Sequence, residues 1–318
     1  MGLVNVTALA GGIGAGKFLR GLVRVLPAEN LTVIVNTGDD IRIHGLHVSP
    51  DLDSVTYWLG GAFDRERGWG RRDESFRATE ELRALGAPGA WFNLGDLDLA
   101  THLFRTPLLD SGLPLSEATR RVAARFGVGS RLLPMSDDLV ATRIDAVDAD
   151  GHLLDLHFQE YWVRRGGSDA VKAIRFEGIE TAGPAPGVLE AIAAAQLVVI
   201  CPSNPVVSIG PILSVRGIRE AVASKRPNVV GVSPIIGGAP VSGMADRLMP
   251  AVGLEVSAVG AARAYEGLGA AWVIDDVDRG LAPAVERLGL RCAVTDTVMS
   301  DDAAAERLAV AVVGQFVP

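Results

Sequence analysis

The chain has 318 residues, of which 48% are hydrophobic and 21% charged, and a formal net charge of −8. That balance excludes a disordered chain and fits a globular α/β protein with one large core, or a core carrying an insertion. The acidic balance argues against a nucleic-acid polymer as partner, which needs a basic face; a small phosphorylated ligand needs only a few local donors.

Leu3 to Ala10 suits a buried first strand, and Gly11-Gly12 ends it. No basic residue precedes this segment, so no signal peptide is expected and the chain reads as soluble and cytoplasmic. Gly14 to Leu26 has helical spacing, closed by Pro27, and Leu31 to Asn36 is a second buried strand. A β-loop-α-β opening is the unit of a parallel sheet with right-handed crossovers.

The loop in that unit, Gly11-Gly12-Ile13-Gly14-Ala15-Gly16-Lys17, has the Gly-x-x-x-x-Gly-Lys spacing of a phosphate loop. Phe18 stands where that motif places Ser or Thr for magnesium, and Lys17 stands where a dinucleotide loop needs its third glycine. Either the loop offers backbone N–H groups to phosphate, or it is a tight strand-to-helix turn. In the first case any magnesium ligands come from elsewhere.

Asn36 to Asp53 is the obvious supplier. Asp39 and Asp40 follow the second strand, and Asp51 and Asp53 open a helix to Leu59 that Ser49 can cap and Pro50 can begin. Four acids this close repel one another unless a cation or a donor-rich substrate lies between them. His44 and His47 share the stretch but lack the further ligands of a zinc site.

Downstream, Asp64 to Asp73 reads as loop, Glu74 to Leu85 as helix, Trp91 to Leu94 as a short strand and Leu99 to Leu109 as helix. Asp96 and Asp98, with His102 a turn beyond, either cap a helix or bind a ligand. Ser116 is expected to cap a helix to Phe126, and Asp137-Asp138 to sit in a solvated turn. Arg131 to Pro134, Val140 to Val147, Leu153 to Phe158 and Lys172 to Phe176 suggest an antiparallel excursion with a hairpin at Asp150-Gly151. Leu197 to Ile200 is a buried strand ending in Pro202-Ser203-Asn204-Pro205, which is either a ligand-binding turn or merely a stiff one. Ser214 to Ser224, Val229 to Val232, Ser257 to Leu268, Trp272 to Ile274 and Asp301 to Val313 then alternate helix and strand. Cys201 and Cys292 suggest neither a disulfide nor a metal site. The expected fold is α/β, a doubly wound, mostly parallel sheet over residues 1–130 and 181–318, with a β-rich insertion at 131–180.

Several stretches together carry a family resemblance. Gly-Gly-Ile-Gly-Ala-Gly-Lys-Phe-Leu, Val-Asn-Thr-Gly-Asp-Asp, Ser-Pro-Asp-Leu-Asp-Ser-Val, Gly-Asp-Leu-Asp-Leu-Ala-Thr-His, Leu-Pro-Met-Ser-Asp-Asp, Phe-Gln-Glu-Tyr-Trp and Pro-Ser-Asn-Pro-Val-Val-Ser-Ile-Gly-Pro-Ile run in order from Gly11. With Val-Ser-Pro-Ile-Ile-Gly-Gly and Gly-Met-Ala-Asp-Arg, ending at Arg247, they resemble the CofD/FbiA family of 2-phospholactate or phosphoenolpyruvate transferases of coenzyme F-420 biosynthesis. The resemblance implies a Rossmann-like core with a smaller insertion, usually a homodimer. It implies Mg2+ as cofactor and two small-molecule substrates, the deazaflavin Fo and a guanosine diphosphate ester of a three-carbon acid. It places metal binding at Asp39, Asp40 and Asp51, catalysis at Asp51 and Asp40, and substrate binding at Gly11, Gly12, Gly14, Gly16, Lys17, Asn36, Asp53, Ser203 and Asn204. Two other readings compete: a sugar-nucleotide-binding regulator of the gluconeogenesis-factor branch, and a nicotinamide-dependent oxidoreductase.

Overall fold

The computed structural model describes residues 4–316. Its elements begin with β1 (Val6–Ala10), α1 (Gly12–Val25), β2 (Leu31–Val35), β3 (Ile41–Ile43), β4 (Leu46–Val48), α2 (Pro50–Leu59), α3 (Arg77–Ala84), α4 (Asp96–Asp110) and α5 (Leu115–Arg125). The middle holds β5 (Arg131–Pro134), β6 (Ala141–Val147), β7 (Leu153–His157), β8 (Ala170–Glu177), α6 (Val188–Ala194) and β9 (Leu197–Ile200). Then come α7 (Ile209–Ser214), α8 (Ile218–Ser224), β10 (Val229–Val232), β11 (Ile235–Ile236), β12 (Ala239–Pro240), α9 (Ala245–Ala251) and α10 (Ala258–Arg263). The chain closes with β13 (Ala271–Ile274), α11 (Ala282–Glu286), β14 (Arg291–Val294) and α12 (Asp302–Gly314).

Seven strands form one sheet in the order β14-β13-β10-β9-β1-β2-β5, with every pairing parallel. The inner strands β1, β9, β10 and β13 are buried along their whole length, because helices cover both faces. Alternation divides the core: Leu9, Ile34 and Ile200 face one apolar layer, Ala8, Val33 and Val199 the other. The chain travels outward from β1 to β5, then returns to β9 and travels the other way. The sheet therefore reverses between β1 and β9, and the crevice at their carboxyl ends is where such folds bind ligands.

The doubly wound parallel core matches the expectation, with local corrections. Arg131–Pro134 pairs in parallel with β2 as the outer strand of the large sheet, so the antiparallel excursion is the three-stranded sheet β7-β6-β8 alone. Trp91 to Leu94 is not a strand: its apolar side chains pack against Ile43 and Val48 of the β3–β4 hairpin, without ladder pairing. Ser116 does not cap α5, since its N–H and hydroxyl both donate to Asp137 (2.6 and 2.9 Å). Ser214 to Ser224 is not one helix: Ser214 ends α7, and α8 begins only at Ile218, after Gly217, whose φ of 86° is left-handed. Ser257 and Asp301 cap α10 and α12, accepting from the Gly260 and Ala304 N–H groups. Leu3, placed in the first strand by its sequence, lies outside the described residues. Among those residues no helix is long and apolar enough to cross a membrane.

Candidate active site

The loops after β1 and β9 meet at the reversal. Gly14 packs against the Pro202 carbonyl so closely that a Cβ there would collide with it, and the Gly11 N–H donates to Ser203 Oγ at 3.4 Å. Beside them opens a cavity of 670 Å³, lined by Gly11, Gly12, Gly14, Lys17, Ser203 and Asn204, together with Asp39, Asp51 and Asp53 from the acidic stretch. Segments as far apart in sequence as Gly11 and Ser300 share this wall.

Asp51 is fully engaged on one side. Its Oδ1 accepts the Gly12 N–H at 2.8 Å and its Oδ2 accepts the Asn36 side-chain N–H at 2.9 Å. Asn36 is itself held by the Val207 carbonyl (3.2 Å) and the Gly38 N–H (2.9 Å). It is completely buried and does not line the cavity; it orients Asp51 from behind. Burial pushes the Asp51 carboxyl up to about 6, against the two donors that favour its charge. Asp39 also lines the cavity; burial, and then the charges of Asp51 and Asp40, push its carboxyl well above the usual range. Asp39 Oδ1 is buried and has no hydrogen-bond partner. A carboxylate in that state calls for a cation.

Besides Asn36, expected to bind substrate but placed behind Asp51, three expected site residues are placed differently. Asp40 does not line the cavity: its Oδ2 accepts from His47 Nε2 (2.9 Å) and Ser49 Oγ (2.7 Å). Ser49 stands at the N-cap of α2, but its hydroxyl serves Asp40 and leaves the helix start uncapped by a side chain. Gly16 faces away from the cavity, against the Trp58 ring, where any Cβ would overlap the indole. Asp53 does line the cavity, yet both of its oxygens are taken by Arg105, through Nη1 at 2.9 Å and through Nη2. The glycine loop, too, spends the Gly11 and Gly12 N–H groups on Ser203 and Asp51. The N–H groups of Ile13 and Gly14, without intrahelical acceptors in the first turn of α1, remain for an anion, with Lys17 on the same wall. Asn204 Oδ1 accepts the Val206 N–H at 2.9 Å, which shapes its own turn and leaves its amide N–H groups for the cavity.

Asp98 and His102, for which the sequence left a ligand role open, complete the wall with Tyr57 and Arg105, which it did not single out. Tyr57, Asp98 and His102 line it, and Arg105 lies behind Asp53. Tyr57 donates to Asp98 Oδ1 at 2.6 Å, and the His102 ring nitrogens lie 3.7 Å from Asp53 and 3.6 Å from Asp98. Burial pushes Asp98 up, but His102, Tyr57 and Arg105 outweigh it and hold the carboxyl below its ordinary value. The spacing Asp98, His102, Arg105 on one helical face was a readable signal of this group. Asp96, by contrast, braces α3, accepting from the Ser75 hydroxyl and the Ala78 N–H. Among the described residues, Asp53, Asp98 and His102 bring one ligating atom each within 4.8 Å of one another, as do Asp148, Asp150 and His152 at the surface. In the first trio Asp53 is paired with Arg105 and Asp98 accepts from Tyr57, while both His102 ring nitrogens are buried without a hydrogen-bond partner; among the described residues Asp39 and Asp51 are the cavity acids that face no cationic partner.

Comparison with known proteins gives the family of the chain. Residues 6–314 match the family model described as 2-phospho-L-lactate transferase CofD. The chain is 53% identical over 299 residues to the phosphoenolpyruvate transferase of Streptomyces griseus subsp. griseus, covering 94% of each chain. It is 44% identical over 308 residues to the 2-phospho-L-lactate transferase of Methanosarcina acetivorans, covering 97% of this chain and 98% of that one. The crystal structure of protein BH3568 from Bacillus halodurans superposes with a TM-score of 0.63 at 19% identity, over 98% of this chain and 99% of that one. At that identity the likeness concerns the fold alone.

Proposed function

The chain belongs to the CofD family of 2-phospho-L-lactate transferases, and on that premise we propose that it transfers a phosphate-linked three-carbon acid from a guanosine diphosphate ester to the ribityl hydroxyl of Fo, releasing GMP. The observation that carries this reading is the meeting of three features in one 670 Å³ cavity: the glycine loop after β1, the Ser203–Asn204 turn after β9, and the uncompensated Asp39–Asp51 pair. Transfer of this kind depends on positioning and charge neutralisation more than on covalent catalysis, and the cavity offers those means.

Asp39 and Asp51 suit magnesium: both are hard oxygen ligands, both are raised by burial, and Asp39 Oδ1 lacks a donor. When bound there, magnesium would neutralise charge on the diphosphate oxygens. The Ile13 and Gly14 N–H groups and Lys17 bind the phosphates, and Ser203 and Asn204 meet the guanosine side. The hydroxyl oxygen bonds to the phosphorus bearing the acid as that phosphorus parts from the GMP oxygen, and the hydroxyl proton leaves with the GMP phosphate. Relatives at 49–53% identity carry the phosphoenolpyruvate name, which makes enolpyruvate the first candidate for the acid.

Incubating the protein with magnesium, Fo and each guanosine-linked ester, with the products weighed by mass spectrometry, tests the proposal. One phosphodiester of Fo plus GMP is expected, fastest with the enolpyruvyl ester. No product with the enolpyruvyl, lactyl and glyceryl esters, together with UDP-sugar binding by calorimetry, would sink it.

A further inference from the structure

The run His157-Phe158-Gln159, leading from β7 into a π-helical turn at Glu160–Arg164, has no task in the reaction as described. His157 is held between two polar partners. Its Nδ1 accepts the Gln159 N–H at 3.1 Å, and its Nε2 lies 3.1 Å from the Asp40 carbonyl oxygen. A backbone N–H can only donate and a carbonyl can only accept, so the ring proton sits on Nε2 and the imidazole is neutral. Burial pushes this imidazole down, in keeping with that form.

The two partners belong to different parts of the active site. The Asp40 carbonyl ends the Gly38–Asp40 segment that carries Asp39, and the Thr142 N–H of β6 ties the same segment by donating to the Gly38 carbonyl at 2.6 Å. On the other side, Phe158, Gln159, Trp162 and Val163 line the cavity, with Trp162 and Val163 38% and 40% exposed. A π-helical turn shifts side chains from α-helical spacing and recurs at functional sites; here it carries both residues on the cavity wall. The three-stranded excursion is thus joined to the acidic loop at His157 and Thr142.

We propose that His157 is a positioning residue: as the Nε2–H tautomer it latches the loop bearing Asp39 to the Phe158–Val163 wall, so that acceptor binding on that wall and cation binding at Asp39 favour each other. The coupling is reciprocal by thermodynamic necessity. It rests on the magnesium reading given above.

Two variants separate the bonds. His157→Gln retains an N–H donor for the Asp40 carbonyl; His157→Phe retains ring volume and neither bond. Mn2+ binding, followed by electron paramagnetic resonance with and without Fo, is expected to tighten with Fo by about tenfold in the unmodified protein. His157→Phe should lose that tightening and lower kcat with the KM for the ester unchanged, and His157→Gln should restore most of both. Should His157→Phe not fold, His157→Asn, which keeps an acceptor for Gln159 but no donor for Asp40, reads the same loss. Tightening that persists in His157→Phe, or is lost equally in His157→Gln, overturns the latch. Mn2+ binding that survives in Asp39→Asn overturns the magnesium reading instead. The latch is then read from histidine 15N shifts at neutral pH, where the Nε2–H tautomer supports it and the other tautomer or an imidazolium overturns it.

Discussion

Two pairs of acids share the cavity wall, and they live under opposite conditions. Asp53 and Asp98 are answered by the protein itself, through Arg105, Tyr57 and His102. Asp39 and Asp51 are answered only in part: Asp51 has two neutral donors, and Asp39 keeps a buried oxygen with none. Asp51 and Asp53 are two residues apart on α2, roughly 200° around the helix axis. One therefore turns to Gly12 and Asn36, and the other to Arg105 on α4. A carboxylate's use is set by what it faces: the compensated pair builds the wall, and the uncompensated pair is left to meet a ligand.

The largest expected effect breaks the uncompensated pair. Asp51→Asn should lower the magnesium-dependent rate roughly a thousandfold, with a melting temperature close to that of the unmodified protein. A rate within a few fold of normal would mean that the pair has no chemical task. The compensated pair should fail the other way. Arg105→Met leaves Asp53 buried without its cation and should cost about 3–5 kcal/mol of stability, read by denaturant unfolding; an Asp53→Asn, Arg105→Met double variant should recover part of it. A mild loss in Arg105→Met would show that solvent reaches Asp53.

Protonation sharpens the contrast. Asp51, raised by burial to about 6, must lose its proton to bind a cation. Asp39, also raised, must do the same, so the magnesium concentration for half-maximal rate should rise at least about tenfold for each pH unit below about 6. A requirement for magnesium that does not change across that range would remove Asp51 from the metal. The smallest effect concerns Asp40, which adjoins Asp39 and is held through Oδ2 alone, its Oδ1 being buried without a partner. Ser49→Ala removes one of its two side-chain donors and should cost about 1–2 kcal/mol of stability with magnesium dependence unchanged. Loss of magnesium binding in that variant would return Asp40 to the metal site.

Much of this molecule was legible in the chain. Apolar runs ending in glycine or proline marked the strands of a parallel sheet, because strands buried on both faces carry no polar alternation. The glycine loop, the acidic stretch and the Ser203–Asn204 turn all stood at strand ends, where such sheets bind ligands. Composition and motif could bring these residues under suspicion but could not sort them. That Gly16 serves Trp58, that Ser49 serves Asp40, and that Asp53 is matched by Arg105 from 52 positions away depends on contacts made only when distant elements pack. Strand and helix patterns are local, so the sequence determined the fold class and the candidate loops. Burial and charge compensation are set by partners on other elements, so only the tertiary structure decided which acids were left unanswered.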